Sequence, residues 1–254
     1  MNLINLIKGL LKNEKKLDIT KLPSQGLFYK DDFEIKIKKA NIEDIVNYEF
    51  EFVKEIAPII LKIKKVVYNN TIFSDGYVFD DLKSIDIIYI FLEIVKWTNN
   101  SEINLSYFDE INKSEKTIQF NSKYFNYYNT ENVMKYYDNK EKCFIIDNYK
   151  YSFPSIGVEN GLTDYLISKY NVPDAEKYND YFYEFTYFLG NKRSLSIEET
   201  ENLVQIFNFD IEESEITKIK SIIKKFEPMQ KYSLIDCGNE IDLNSKIDLS
   251  NIWK

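Results

Sequence analysis

The residues that decide the fold are Leu22-Pro23-Ser24-Gln25-Gly26-Leu27-Phe28-Tyr29, with the alternating run Phe33-Glu34-Ile35-Lys36-Ile37-Lys38 behind them. Pro23 fixes φ and lacks a backbone N–H, and Ser24 and Gly26 suit a tight turn with glycine at its last position. Asp31-Asp32 then breaks the chain. Period-two alternation follows and predicts a strand with Phe33, Ile35 and Ile37 on one face and Glu34, Lys36 and Lys38 on the other. Turn and strand define the edge of a domain and name no activity.

Downstream, Asn41 caps a helix through about Ile56, with Glu43 and Asp44 in its first turn. Pro58 kinks or restarts it, and Ile59, Ile60, Ile63, Val66 and Val67 continue the stripe. Asp80 or Asp81 caps the best helix of the first half. Its apolar residues Leu82, Ile85, Ile88, Tyr89, Leu92 and Val95 recur at i+3 and i+4, so burial is expected as far as Trp97. The pattern then shortens into β-like pieces. Lys116–Phe120 alternates, Glu131–Tyr137 suits a short helix, and Cys143–Ile146 and Tyr149–Phe153 flank Asp147-Asn148, a two-residue hairpin turn.

Phe153-Pro154-Ser155-Ile156-Gly157 repeats the Pro-Ser-x-Gly spacing of the opening stretch. Nothing downstream repeats, so chance reuse of turn chemistry is the simpler reading. Helices are expected over Val158–Tyr170, from Pro173 to Gly190, from the capping box Ser196-Ile197-Glu198-Glu199, and from Asp210 or Glu213 to a stop at Pro228. A hairpin of Tyr232–Ile235 with Glu240–Leu243 and a tail carrying Trp253 close the chain. At the other end, Met1–Leu11 reads as an amphipathic helix with Leu3, Ile4, Ile7, Leu10 and Leu11 on one face. It suits packing on its own domain or on a partner. The fold class is therefore α+β. A mixed N-terminal half has short antiparallel strands and helices, and a mainly helical C-terminal half ends in a small β hairpin. The division is an arm over 1–19, a mixed region over 20–153 and a helical region over 154–254.

With 254 residues, 44% hydrophobic and 29% charged, the chain is long and apolar enough to bury a sizeable core. Its net charge of −8 disfavours nucleic acid or anionic lipid as a partner. Lys62-Ile63-Lys64-Lys65 and Lys224-Lys225 read as solvated helix faces. The apolar run Ile85–Val95 contains Asp86 and Glu93 and is too short to span a bilayer. No convincing signal peptide opens the chain, so a soluble, cytosolic product is expected.

There is no histidine, which excludes Ser-His-Asp and Cys-His catalysis, imidazole bases and His-containing metal sites. Cys143 and Cys237 fit no metal or disulfide pattern, and a reducing compartment suits them. There is no Walker loop and no GxGxxG. The remaining enzymatic route is carboxylate-based, through Asp31-Asp32, Asp80-Asp81, Glu198-Glu199 and Glu212-Glu213. A metal-dependent hydrolase needs such acids to converge in a cleft. Each pair has a sufficient local role as turn, cap or first helical turn, so no catalytic, cofactor-binding or metal-ligating residue is expected. An acidic module that occupies a host protein is a further alternative and requires one strongly acidic face.

The Leu-Pro-Ser-x-Gly-x-x-Tyr turn, the alternating strand and the helix with paired acids Glu43-Asp44 resemble the baseplate hub and hub-assembly proteins of T-even-type contractile-tailed phages. The Asp81–Trp97 helix, the second Pro-Ser turn at Phe153–Gly157 and the Gly238–Trp253 end are similar to that family at the level of pattern. The departures are the Asn/Tyr-rich middle and Lys30, where a proline is more usual, and they leave hub subunit or assembly factor open. The resemblance implies a virion tail protein, assembled in the host cytoplasm. It would work through contacts with other baseplate and tail proteins or with its own copies. No catalysis, small-molecule substrate, nucleic acid or membrane would be involved. Its contact candidates are Leu3, Ile7 and Leu10 of the arm, Leu22, Pro23, Gly26, Phe28 and Tyr29 of the turn, and Trp253. The alternative for each is packing within the chain.

Overall fold

Phe33, Ile35 and Ile37 are each at most 2% exposed, while Glu34, Lys36 and Lys38 face solvent, as the alternation requires. The computed structural model describes residues 13–54, 59–109, 112–120, 125–126, 130–170, 178–179, 182–206, 212–230, 233–236, 239–242, 247–249 and 252–253. Leu3, Ile7 and Leu10, together with Pro58, Pro173, Asp210 and Cys237-Gly238, lie outside the described residues. Among the described residues no helix is long and apolar enough to cross a membrane.

Strand β1 (Glu14–Lys16) pairs antiparallel with β2 (Ile35–Lys38), which holds the buried alternation. Helices α1 (Ile42–Lys54) and α2 (Ile59–Asn69) follow, and β3 (Thr71–Phe73) returns to complete a sheet in the order β1-β2-β3. Asn41 caps α1 as expected. Asp44 N–H donates to Asn41 Oδ1 at 2.8 Å, and Asn41 N–H donates back to Asp44 Oδ2 at 3.2 Å. Asp44 also accepts from the side-chain amides of Asn69 and Asn70, so one carboxylate ties the start of α1 to the end of α2. Lys62 is not on a solvated face; it is 3% exposed.

The apolar stripe becomes α3 (Ile87–Asn99), in which Ile87, Ile90, Phe91, Leu92, Ile94 and Val95 are fully buried. Neither Asp80 nor Asp81 caps it. Two short 3₁₀ turns, Phe79–Asp81 and Ser84–Asp86, precede it, and Asp86 stands at its N-terminus without a side-chain cap bond. The helix starts late because the backbone of Leu82–Ser84 bonds to residues 154–156 instead. Beyond α3, β4 (Ile103–Asp109) and β5 (Ser114–Phe120) form a hairpin, followed by the short β6 (Phe125–Asn126).

The short helix expected over Glu131–Tyr137 is α4 (Glu131–Met134). Tyr137 instead opens β7 (Tyr137–Asp138), which leads into β8 (Cys143–Ile146) and β9 (Tyr149–Tyr151) in the order β7-β8-β9. Asp147 and Asn148 have φ of 49° and 71°, the left-handed pair that a two-residue I′ hairpin demands. Ser155 caps α5 (Ile156–Lys169), and the capping box of Ser196 and Glu199 starts α6 (Ile197–Gln205). Helix α7 (Glu213–Gln230) runs through Pro228 rather than stopping before it. Proline's fixed φ suits a helix, and only one bond, to the Lys224 carbonyl, is forfeited in the last turn.

The expected closing hairpin is β10 (Ser233–Asp236) with β11 (Asn239–Asp242), and β6 adds to its edge. The tail then returns to the N-terminal core. Strand β12 (Ile247–Asp248) pairs with β4, and Tyr48 donates its hydroxyl to the Leu249 carbonyl at 2.8 Å. Trp253 finds its place edge-on against Tyr48 and Phe91, at centroid distances of 6.4 and 6.1 Å. A second apolar cluster gathers Phe28, Phe144, Tyr151, Phe153, Tyr187 and Phe226, with Tyr151 stacked on Phe226 at 4.0 Å. The molecule is thus an α+β fold of small antiparallel sheets and packed helices.

Candidate functional site

The opening stretch folds as two overlapping turns. Gln25 N–H donates to the Leu22 carbonyl at 2.7 Å, and Leu27 N–H donates to the Ser24 carbonyl at 3.2 Å. Gly26 is therefore a central residue of the second turn, not the last residue of the first. Gln25 and Gly26 both have positive φ, 55° and 74°. A side chain at Gly26 would also stand 3.3 Å from Ile19, so the positive φ and the tight approach both favour glycine.

This double turn aims its polar groups at Leu82–Asp86. Ser24 N–H donates to Asp86 Oδ1 at 2.8 Å, and the Tyr29 hydroxyl donates to Asp86 Oδ2 at 2.6 Å. The Tyr29 oxygen in turn accepts from Lys83 N–H at 3.0 Å. The second Pro-Ser turn grips the same segment. Ser84 N–H donates to the Pro154 carbonyl at 3.1 Å, and Ile156 N–H donates to the Leu82 carbonyl at 2.8 Å. The two turns are not halves of a repeat, since a strand follows one and a helix the other. Both nevertheless close on one five-residue segment, which acts as the keystone of the fold.

The keystone carries two buried charges. Asp86 is fully buried, and burial raises its carboxyl to about 6 despite the opposing bonds from Tyr29 and Ser24. Lys83 is 3% exposed, and burial lowers its ammonium to about 8 against the pull of Asp86 and Asp81. Lys83 Nζ donates to Asn191 Oδ1 at 3.0 Å and to Ser152 Oγ at 3.4 Å. Asn191 is held by its own amide N–H groups, which reach the carbonyls of Glu141 and Lys142 at 2.8 Å each. Above Lys83 opens a cleft of about 230 Å³. Phe28, Tyr29 and Tyr77 form aromatic wall, Lys30, Lys142 and Lys192 stand with Lys83 as cations, and Asp81 and Glu141 are the acids.

Of the turn's contact candidates, Leu22, Pro23, Phe28 and Tyr29 are buried inside the chain and Gly26 is half-buried. Phe28 packs edge-on against Phe144 and Phe153, and Tyr29 stacks on Phe33 at 4.2 Å. Trp253 is likewise spent on the core. For these residues intramolecular packing is the reading that the structure supports. The acid pairs are dispersed. Asp31 meets Lys142 at 2.6 Å, Asp32 accepts from the Tyr77 hydroxyl, and Asp81 accepts from Arg193 Nε at 2.7 Å. Glu199 closes its helix cap, its carboxyl drawn down to about 2 by Lys192 and the Ser196 N–H. Glu213 lies in the first turn of α7. Among the described residues no group of three or more Cys, Asp or Glu is placed to hold a metal ion.

The sequence reading passed over Lys83 and Asp86 as site residues. A signal existed, because Asp86 and Glu93 interrupt an otherwise apolar run. Both are buried, and Glu93 is met by Lys15 at 2.7 Å. No protein-family model, curated protein or solved structure matches the chain.

Proposed function

We propose that this chain is a structural or assembly protein of a contractile phage-tail baseplate, working through contacts with other tail proteins. The reading rests on the resemblance at Leu22–Tyr29. Its single structural support is that this stretch is the joint where the fold closes, through Ser24 and Tyr29 onto Asp86. A motif used for the frame it builds, rather than for a reacting group, is what this reading expects. The partner-facing surface then lies elsewhere. Ile42 on α1, Leu61 and Tyr68 on α2, and Ile197 on α6 present large apolar side chains to solvent, at 80, 54, 63 and 75% exposure. In the sequence, the Leu3, Ile7 and Leu10 stripe adds a further apolar face. Permanent tail interfaces of this kind bury ~2,000 Å² or more.

The experiment is co-expression of the tagged full chain with baseplate hub and tail proteins encoded beside its gene, followed by affinity capture and mass measurement. The proposal expects a complex of fixed stoichiometry, or a defined self-assembly. A chain that stays monomeric and captures none of these proteins overturns it.

A further inference from the structure

Lys83 places a buried ammonium where no carboxylate hydrogen-bonds to it, although Asp86 and Asp81 pull on it through space. Its hydrogen-bond partners Asn191 Oδ1 and Ser152 Oγ are neutral, and an ammonium has three N–H donors. The bonds that Asn191 makes to the Glu141 and Lys142 carbonyls fix its amide so that the oxygen faces Lys83. The acids lining the same cleft are already engaged. Asp81 accepts from Arg193 and from the Val78 N–H, and Glu141 accepts from Lys150 at 2.7 Å. Two of the other lysines are engaged as well, Lys142 with Asp31 and Lys192 with Glu199. Lys83 and Lys30 are left, with no ion pair for either among the described residues. In a chain of net charge −8, this cleft therefore sets two lysines without an ion pair beside the aromatic side chains of Phe28, Tyr29 and Tyr77, with Asp86 and Asp81 acting on Lys83 only through space.

We infer that the cleft over Lys83 binds a carboxylate borne on a small, flat apolar body, with Lys83 and Lys30 as its cationic partners and Phe28, Tyr29 and Tyr77 as its walls. A carboxylate supplies the acceptor that the third N–H of Lys83 lacks, and a buried charge gains most from a charged hydrogen-bond partner. The volume of about 230 Å³ suits one such group and is too small for a nucleotide. The same chemistry arises from a free aromatic acid or from the C-terminal carboxylate of a protein ending in an aromatic residue.

The test is calorimetric titration of the full chain at pH 7 with benzoate, with benzamide as the uncharged analogue of the same shape. Two dipeptide probes, glycyl-phenylalanine and its C-terminal amide, separate the sources. Benzoate is expected to bind and benzamide not to. Lys83→Met, which removes a buried charge at nearly constant volume and so is expected to keep the fold, should weaken benzoate at least about tenfold. Lys30→Gln, at an exposed position, should weaken it several-fold. If the free dipeptide binds tighter than benzoate and its amide does not bind, a protein C-terminus is the source; the reverse order assigns a free acid. Equal behaviour of benzoate and benzamide, no binding at ~10 mM, or unchanged benzoate affinity in Lys30→Gln and in a folded Lys83→Met overturns the inference. None of these outcomes depends on whether the chain assembles with tail proteins.

Discussion

The hydroxyl of Tyr29 donates to Asp86 Oδ2 at 2.6 Å, joining residues 57 apart in sequence. Asp86 Oδ1 takes the Ser24 N–H, so one carboxylate satisfies two buried donors of the turn. Burial alone favours a neutral Asp86; these two bonds oppose it, helped by the Ser24 side chain and by the charge of Lys83.

Removing that acceptor should be costly. Asp86→Ala leaves the Ser24 N–H and the Tyr29 O–H buried without a partner, and urea unfolding is expected to show a loss of about 3–5 kcal/mol. Tyr29→Phe removes this donor and the acceptor of the Lys83 N–H while keeping the ring on Phe33, so it should cost less, about 1–3 kcal/mol.

The buried charges give the stability a defined pH dependence. Lys83 titrates near 8 when folded against 10.5 in the unfolded chain. The unfolded state binds more protons between these values, so stability from this group rises with pH from about 8, is complete above 10.5, and is lost as pH falls through 8. Asp86 runs the other way. Its folded value of about 6 exceeds 3.8, so its contribution is complete below 3.8 and is lost as pH rises through about 6. Asp81, Glu141 and Cys143 lie in the same neighbourhood. The melting temperature of Lys83→Met, subtracted from that of the parent chain between pH 5 and 10, cancels their shared titration to first order. The difference should climb above pH 8; a flat difference curve would show that Lys83 is not held as described.

Helix α5 approaches its neighbour through Gly157. A Cβ there would stand 2.4 Å from the Arg193 carbonyl oxygen and 2.8 Å from Asp80 Cβ. Ser155 fastens the same contact, its hydroxyl 2.7 Å from the Arg193 carbonyl. Gly157→Ala is expected to cost about 2–3 kcal/mol in denaturant unfolding. Gly76→Ala, at a φ of 86° with nothing within 4 Å, bears only backbone strain and should cost about 1 kcal/mol.

The Asp147-Asn148 turn holds Asn148 at φ 71°, which asparagine tolerates and glycine prefers. Asn148→Gly should raise stability by about 0.5 kcal/mol, seen as a small increase in melting temperature.

What was legible in the sequence was what acts over three or four residues. The Asn41, Ser155 and Ser196 caps find their partners within one turn. The Phe33–Lys38 alternation and the Asp147-Asn148 hairpin are equally local. The failures came where a distant segment competed. Asp80 and Asp81 lost the cap of α3 because Leu82–Ser84 pairs with residues 154–156. The recurrence of Pro-Ser-x-Gly was visible, but that both turns close on one segment was not, because each contact spans dozens of residues. The cleft was hidden for the same reason: Lys83 meets Asn191 across 108 positions. Leu22, Phe28 and Tyr29 looked like partner contacts because exposure cannot be read from an aromatic-rich turn alone.

The central claim, that the stretch carrying the family resemblance is a joint of the fold, is tested most directly by a double-mutant cycle on Tyr29→Phe and Asp86→Asn, read by urea unfolding. The account predicts a coupling energy of about 1 kcal/mol or more, with both single variants less stable than the parent. Strict additivity, or single variants as stable as the parent, would contradict it.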